Sequence, residues 1–318
     1  MSSPLPHDAL SGDLWADMQP EPASSQVPLL AHYTSIKTLE RIAETGEIWF
    51  SNPLYMNDVD ELRYGMALGL EAVRTHQGLR HACPPDHYNA LLDAFGKLYT
   101  AFDNDAAFDV YVFSCSEHDA QIGDDGLLSM WRGYGGDGNG VAIVFDLSRL
   151  LGHPGSPLLM RQVQYLSYEE SEAWMVDKLD QFARTLARLG GPPEAMPRAA
   201  AALFERIKLF ALFTKHRGFH EEREWRVVYL REHDRHEVLT QQLHYAIGER
   251  GIEPRLRLTM ESLGPQAPAI EALVERIILG PVLATPLALR SAQRMLEIHR
   301  PAWADRVARS STPYRAQR

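Results

Sequence analysis

The order of apolar and polar residues along the chain marks out its elements before any other property is needed. Leu29 to Tyr33 is an apolar, aromatic-containing run that suits a strand. In TSIKTLERIAETG the period changes: Ile36, Leu39 and Ile42 recur at helical spacing, with Thr34 or Ser35 as cap and Gly46 as stop. EIWFSN reads as a second short strand. Leu62, Met66, Leu70 and Val73 mark a helix that begins near Asp58, and another covers Tyr88 to Phe102. DVYVFSCS and GVAIVF (140–145) read as central strands joined through LLSMWRGYGGDGN. Ser167 and Glu170 have the spacing of a capping box ahead of a helix carrying Met175, Leu179, Phe182 and Leu186. A second helix follows Pro197, with Phe204, Ile207, Ala211 and the neighbouring Phe213 inward, so residues 167–217 read as an inserted helical hairpin. ERIILGP is a late strand, LTMESL has no clear pattern, and Pro286 to His299 is a final helix. Strands and helices alternate without a βαβ rhythm, which points to an α+β fold.

One strand poses a chemical question. In FHEEREWRVVYL (219–230), period-two alternation puts Trp225, Val227 and Tyr229 on one face and Glu222, Glu224, Arg226 and Val228 on the other. Two carboxylates then stand roughly 6.6 Å apart, twice the strand rise. A solvated face on which Glu224 pairs with Arg226 explains this; so does a catalytic carboxylate with a second beside it.

Composition narrows the classes. The chain has 318 residues, 45% of them hydrophobic and 23% charged, enough for a full core. A formal net charge of −10 disfavours broad phosphate-driven binding to nucleic acid. Two cysteines, Cys83 and Cys115, make neither a disulfide framework nor a thiolate cage. No run approaches a membrane span, and the first thirty residues lack the order of a signal peptide, so a cytoplasmic protein is expected. Residues 1–28, rich in Pro, Ser, Ala and Asp, read as a flexible tail, within which Leu14 and Trp15 offer an alternative docking point for a partner. The remainder, 29–318, reads as one α+β domain carrying the hairpin. Oligomeric state is not written in the chain.

Several clusters invite chemistry and each has a plainer reading. His32 and Tyr33 stand at a strand end before a helix, where polar groups meet ligands; a structural histidine and a core tyrosine fit as well. Asn57, Asp58, Asp60 and Glu61 supply hard oxygen ligands, yet Asp58 and Glu61 have capping-box spacing. His216 and His220 are four apart, but Gly218 between them argues that no helix holds them on one face. GYGGDGNG (133–140) lacks the lysine of a phosphate loop, while Trp131 and Tyr134 beside it suit stacking on a flat ring. Cys115 reads as a buried, inert thiol.

Taken together, HYTS, IWFSNPLYMNDVDE, FSCSEHDA, LLSMWRGYGGDGNGVAIVFD, EEREWR, RIILGP and SSTPYR occur in an order that resembles a large bacterial family of unknown function. The tail and the helical hairpin lie outside that resemblance. The family in turn is similar to the ADP-ribosyltransferase superfamily, whose first strand carries His or Arg, whose middle strand region carries Tyr or Ser, and whose late strand starts with a catalytic Glu, often as Glu-x-Glu. The resemblance implies a mixed, largely antiparallel two-sheet core with a helical insertion. It implies an enzyme that cleaves the nicotinamide–ribose bond of NAD and passes ADP-ribose to a protein or nucleic acid acceptor, or to water. Glu224 would stabilise the oxocarbenium-like charge and Glu222 would orient the acceptor or take its proton. His32, Tyr33, Thr34, Ser114, Trp131 and Tyr134 would contact NAD. By analogy alone the setting would be that of a toxin or of phage defence. The alternatives are a nucleotide- or protein-binding module on the same scaffold and, third, a metal-dependent hydrolase or nuclease using Asp58 and Glu61.

Overall fold

A computed structural model describes residues 14–15, 27–56, 59–119, 121–123, 125–150, 156–190, 192–234, 236–248 and 251–314. In chain order these form β1 (Leu29–Thr34), α1 (Ile36–Thr45), β2 (Ile48–Ser51), α2 (Val59–Thr75), α3 (Pro85–Asn104), β3 (Val110–His118), α4 (Leu128–Gly133), β4 (Val141–Phe145), β5 (Leu158–Gln162) and β6 (Gln164–Leu166). There follow α5 (Tyr168–Leu189), α6 (Met196–Leu212), β7 (Thr214–His216), β8 (Glu224–Leu230), β9 (Leu243–Gly248), β10 (Gly251–Leu258), β11 (Val274–Leu279), α7 (Pro286–His299) and β12 (Val307–Arg309). The local signals explain many boundaries. The Ser35 hydroxyl accepts from the Thr38 N–H at 3.1 Å, and Gly46 stops α1 in the left-handed region with its N–H on the Ile42 carbonyl. The capping box at Ser167 and Glu170 is made in both directions.

The chain divides into two compact units, residues 1–20, 53–109 and 163–219 in one and residues 21–52, 110–162 and 220–318 in the other. The sequence describes one domain from residue 29 with the hairpin as an insertion. In the structure that hairpin, α5 and α6, shares a helical unit with α2 and α3. Phe204 of α6 meets Phe95 and Phe102 of α3 edge-on, with ring centroids 5.6 and 5.8 Å away. Gly69 of α2 lies where any Cβ would come within 2.3 Å of the Ile207 side chain, so only glycine permits this approach of α2 to α6. Of the tail, Leu14 and Trp15 are described, and they dock on the chain's own α6: Leu14 is buried and its carbonyl accepts from Arg206 Nε at 3.1 Å.

The second unit is built on one ten-stranded sheet, antiparallel except for the β11–β12 pair. The expected two-sheet core is thus a single sheet that branches at β3. One path runs β12-β11-β4-β1-β3-β2-β10-β9, and β8 lies against β3 with β5 beyond it. On one face Phe113, Phe145, Trp225, Val227 and Tyr229 join the main core. On the other face Ala31, Tyr33, Ala142, Val144 and Ile278 are covered by Met130 and Trp131 of α4. The pattern misses β9 and β10, because HYAIGERGIEPRLRL mixes charge with its alternation; the pair lies towards the sheet edge, where Tyr245, Ile247 and Ile252 stay exposed.

Candidate functional site

The site grows out of an irregularity in the sheet. β1 pairs with β3 from Leu29 opposite His118 to Ala31 opposite Ser116, and β2 meets β3 further along, at Ser51 opposite Val112. Between these points a side chain takes over the ladder: His32 Nδ1 donates to the Ser114 carbonyl at 2.9 Å. A carbonyl only accepts, so the proton sits on Nδ1 and the lone pair on Nε2. Burial lowers the His32 pKa, against the opposing pull of this hydrogen bond, and the ring stacks 4.6 Å from Phe113.

Across the split runs a polar row in an otherwise apolar sheet. Ala31, Ser116 and Glu224 stand opposite one another on β1, β3 and β8, and one pleat further Ser114, Arg226 and Arg161 do the same on β3, β8 and β5. Paired residues share a face, so Glu224 and Arg226 point away from the Trp225 core, as their alternation predicts. Glu224 is only 5% exposed, and Arg226 grips it through Nε to Oε1 at 2.8 Å and Nη2 to Oε2 at 3.0 Å. The Ser114 hydroxyl is buried with no hydrogen-bond partner. A buried hydroxyl that neither water nor a ligand meets costs about 1–3 kcal/mol.

Glu222 corrects the sequence reading. The strand begins at Glu224, Glu222 ends a 3-10 turn (Arg217–Glu222), and Arg223 between them takes a left-handed φ of 45°. Glu222 and Glu224 are therefore not neighbours on a strand face. Arg223 is held in that unusual backbone by Nη2 on Glu117 at 2.7 Å and Nη1 on Asp119 at 2.9 Å, while its carbonyl accepts from the Glu117 N–H. The Ser116 hydroxyl donates to the Glu222 carbonyl at 2.6 Å, and the Glu222 side chain accepts from Tyr134 at 3.0 Å.

Of the expected NAD-contacting residues, the structure brings Tyr33, Ser114, Trp131 and Tyr134 to the face that carries Glu224. His32 and Thr34, by alternation along β1, belong to the opposite side, so the histidine serves the backbone of the split. Trp131 is fully enclosed, its indole N–H on the Asp125 carbonyl and its ring edge-on to Tyr33 at 4.8 Å; it has no face left for a flat ligand. Tyr33 is likewise buried, accepts from the Leu127 N–H at 2.8 Å, and has its pKa pushed up to about 12 by desolvation. Both rings shape the loop at Asp125–Leu127 instead of stacking. Tyr134, 38% exposed, keeps an accessible ring. Cys115 is buried, its thiol pushed well up by burial and by the charge of Glu224.

The glycine loop is fastened by protein and does not cradle an anion. Gly138 donates to the Trp131 carbonyl, and Val282 and Gly280 donate to the carbonyls of Gly138 and Gly140. A Cβ at Gly140 would lie 2.3 Å from the Thr34 carbonyl oxygen, so the closeness of loop and β1 requires glycine there. SSTPYR clamps the same loop: Ser310 Oγ donates to the Asp125 carbonyl, Ser311 donates twice to the Asp125 carboxylate, and Tyr314 bonds Asp137. Sequence reasoning passed over Ser116, Asp125, Arg223 and Ser311, which have no spacing signal because their partners lie far away in the chain.

Asn57 and Asp58 lie outside the described residues, as does the side chain of Asp60; among the described residues no group of three His, Cys, Asp or Glu is placed to hold a metal ion. No helix among them is long and apolar enough to cross a membrane. No curated protein and no solved structure matches the chain. Residues 130–227, which include Tyr134, the helical hairpin that the sequence resemblance left outside, and both carboxylates, match the family model described as protein of unknown function (DUF2971).

Proposed function

We propose that the sheet unit cleaves NAD in the manner of the ADP-ribosyltransferase superfamily, passing ADP-ribose to a macromolecular acceptor or to water. The observation that carries this reading is the polar row at the branch of the sheet: Glu224 and Ser116 at one level, Ser114 with its unsatisfied hydroxyl at the next, in an otherwise apolar face. Isolated buried polar groups are costly, and their concentration at one place is a mark of function. Glu224 stabilises positive charge developing on the ribose, once its grip on Arg226 is exchanged for the ribose hydroxyl. Glu222, half-buried and held by Tyr134, handles the acceptor proton. His32 positions the Ser114 backbone and makes no contact with NAD.

Incubation of the purified protein with NAD is expected to release nicotinamide, measured by chromatography. Glu224→Gln should abolish release, and Glu222→Gln should reduce it while leaving the thermal midpoint unchanged. Intact NAD with protein, RNA and DNA acceptors alike would sink the enzymatic reading. One observation favours a second reading, a binding module without chemistry: both Glu224 oxygens are already taken by Arg226. That reading expects NAD to raise the thermal midpoint with no nicotinamide formed.

A further inference from the structure

The edge of a sheet presents outward N–H and C=O groups that can template another strand, and folded chains keep their edges short, charged or bulged for that reason. Among the described residues the sheet unit has three edges, β12, β5 and β9. β12 is three residues long and ends on Arg309, and β5 carries Arg161. β9 has none of these protections. Its six residues, LHYAIG, include no Asp, Glu, Lys, Arg or Pro, and its pairing with β10 runs without a bulge from Gly248 opposite Gly251 to Leu243 opposite Leu256.

The same edge is apolar on one face. Paired residues share a face, so Leu243, Tyr245 and Ile247 stand with Leu256, Pro254 and Ile252. Leu256 belongs to the main core and Leu243 packs against it, whereas Tyr245, Ile247 and Ile252 carry that face on into solvent at 70%, 92% and 68% exposure. Side chains of this size leave roughly 400 Å² of apolar surface there, the scale at which a patch marks an interaction site.

The strand's own residues point to what covers it. About a twofold axis a strand meets its own copy, so an acidic or basic residue near the axis would face its like; β9 has none. An antiparallel register centred on Ala246 puts each Tyr245 opposite Ile247 of the second copy, an aromatic to β-branched pairing that sheets favour, and His244 opposite Gly248. One axis covers both exposed edges at once. Two patches of this size with their strand edges come to about 1,000 Å², the lower limit of a specific interface. We propose that β9 pairs antiparallel with β9 of a second copy of this chain, centred on Ala246, so that one sheet runs through a reversible dimer.

Dimerisation of this kind is independent of NAD cleavage, since no residue of the polar row takes part. Sedimentation velocity of the full-length protein over about 1–200 µM tests it: the small interface predicts a monomer–dimer equilibrium within that range. Ile247→Lys and Tyr245→Lys should each weaken association at least tenfold, roughly the effect of a charge placed on an open edge. Leu287→Lys, at an equally exposed apolar position on α7, should leave it unchanged. The double variant Tyr245→Lys, Ile247→Glu sets opposite charges across the axis and should associate more tightly than Tyr245→Lys alone. The exposure of these positions lets the chain fold with each change, and a thermal melt of every variant checks that. A monomer at every concentration, a dimer indifferent to Ile247→Lys, equal weakening by Leu287→Lys, or a double variant no tighter than the single would overturn the assignment.

Discussion

Glu222 and Glu224 are two residues apart and live in opposite surroundings. Glu224 opens a strand every residue of which is buried, and a guanidinium holds both of its oxygens. Glu222 ends an irregular turn, and its side chain accepts from an exposed phenol. A single left-handed residue, Arg223, separates the two environments. The difference teaches that like carboxylates are sorted by backbone and not by spacing: the enclosed one is fixed in orientation by a guanidinium, and the outer one lies in an irregular turn beside an exposed phenol. Enclosure also sets the scale of each residue's energetic role, because a buried charge that loses its partner is far costlier than an exposed one.

The sharpest way to break this comparison is Arg226→Leu, which takes from the buried Glu224 the guanidinium that holds both of its oxygens. It should cost about 3–5 kcal/mol in urea unfolding, and Glu224→Leu in the same chain should recover most of that. A loss under about 1 kcal/mol would mean that water reaches Glu224, contrary to its burial. Ser116→Ala removes the hydroxyl that ties the Glu222 backbone to β3 and should cost about 1 kcal/mol.

Acidification tests the enclosed side further, through His32. Below its ordinary pKa of 6.5 the unfolded chain gains a proton on His32 that the folded chain, whose His32 pKa is lowered, takes up only at more acidic pH. The stability it contributes is therefore full above pH 6.5 and is lost as pH falls towards the folded value. His32→Gln, whose amide can still donate to Ser114, should flatten that part of the profile in urea melts at pH 8, 6.5 and 5.5. The smallest effect belongs to the outer side: Tyr134→Phe should change stability by no more than about 0.5 kcal/mol. If Glu222 handles a proton, the same variant should still slow nicotinamide release.

Much of this was written locally in the chain. The caps at Ser35 and Ser167, the stop at Gly46, the helix Pro286–His299 and the inward face of Trp225, Val227 and Tyr229 all follow from residues within a few positions of one another. The same alternation puts Glu224 and Arg226 together on the other face of β8. What escaped was non-local. Nothing near Glu222 announces the turn that takes it off the strand, because Arg223 is held there by Glu117 and Asp119, more than a hundred positions earlier. Trp131 looked like a stacking platform until Tyr33 and Asp125 closed around it. The division into two units depends on which helices α5 and α6 pack against, and an amphipathic stripe does not name its partner.

The clamp of Ser311 on Asp125 has a consequence for biosynthesis. These residues are 186 positions apart, so at ordinary elongation rates the loop is made about 10–40 s before the segment that fastens it. Until then the loop at Asp125 lacks the bonds from Ser310 and Ser311 that fasten it. The loop therefore takes its final form only after the segment that holds Ser311 has been made.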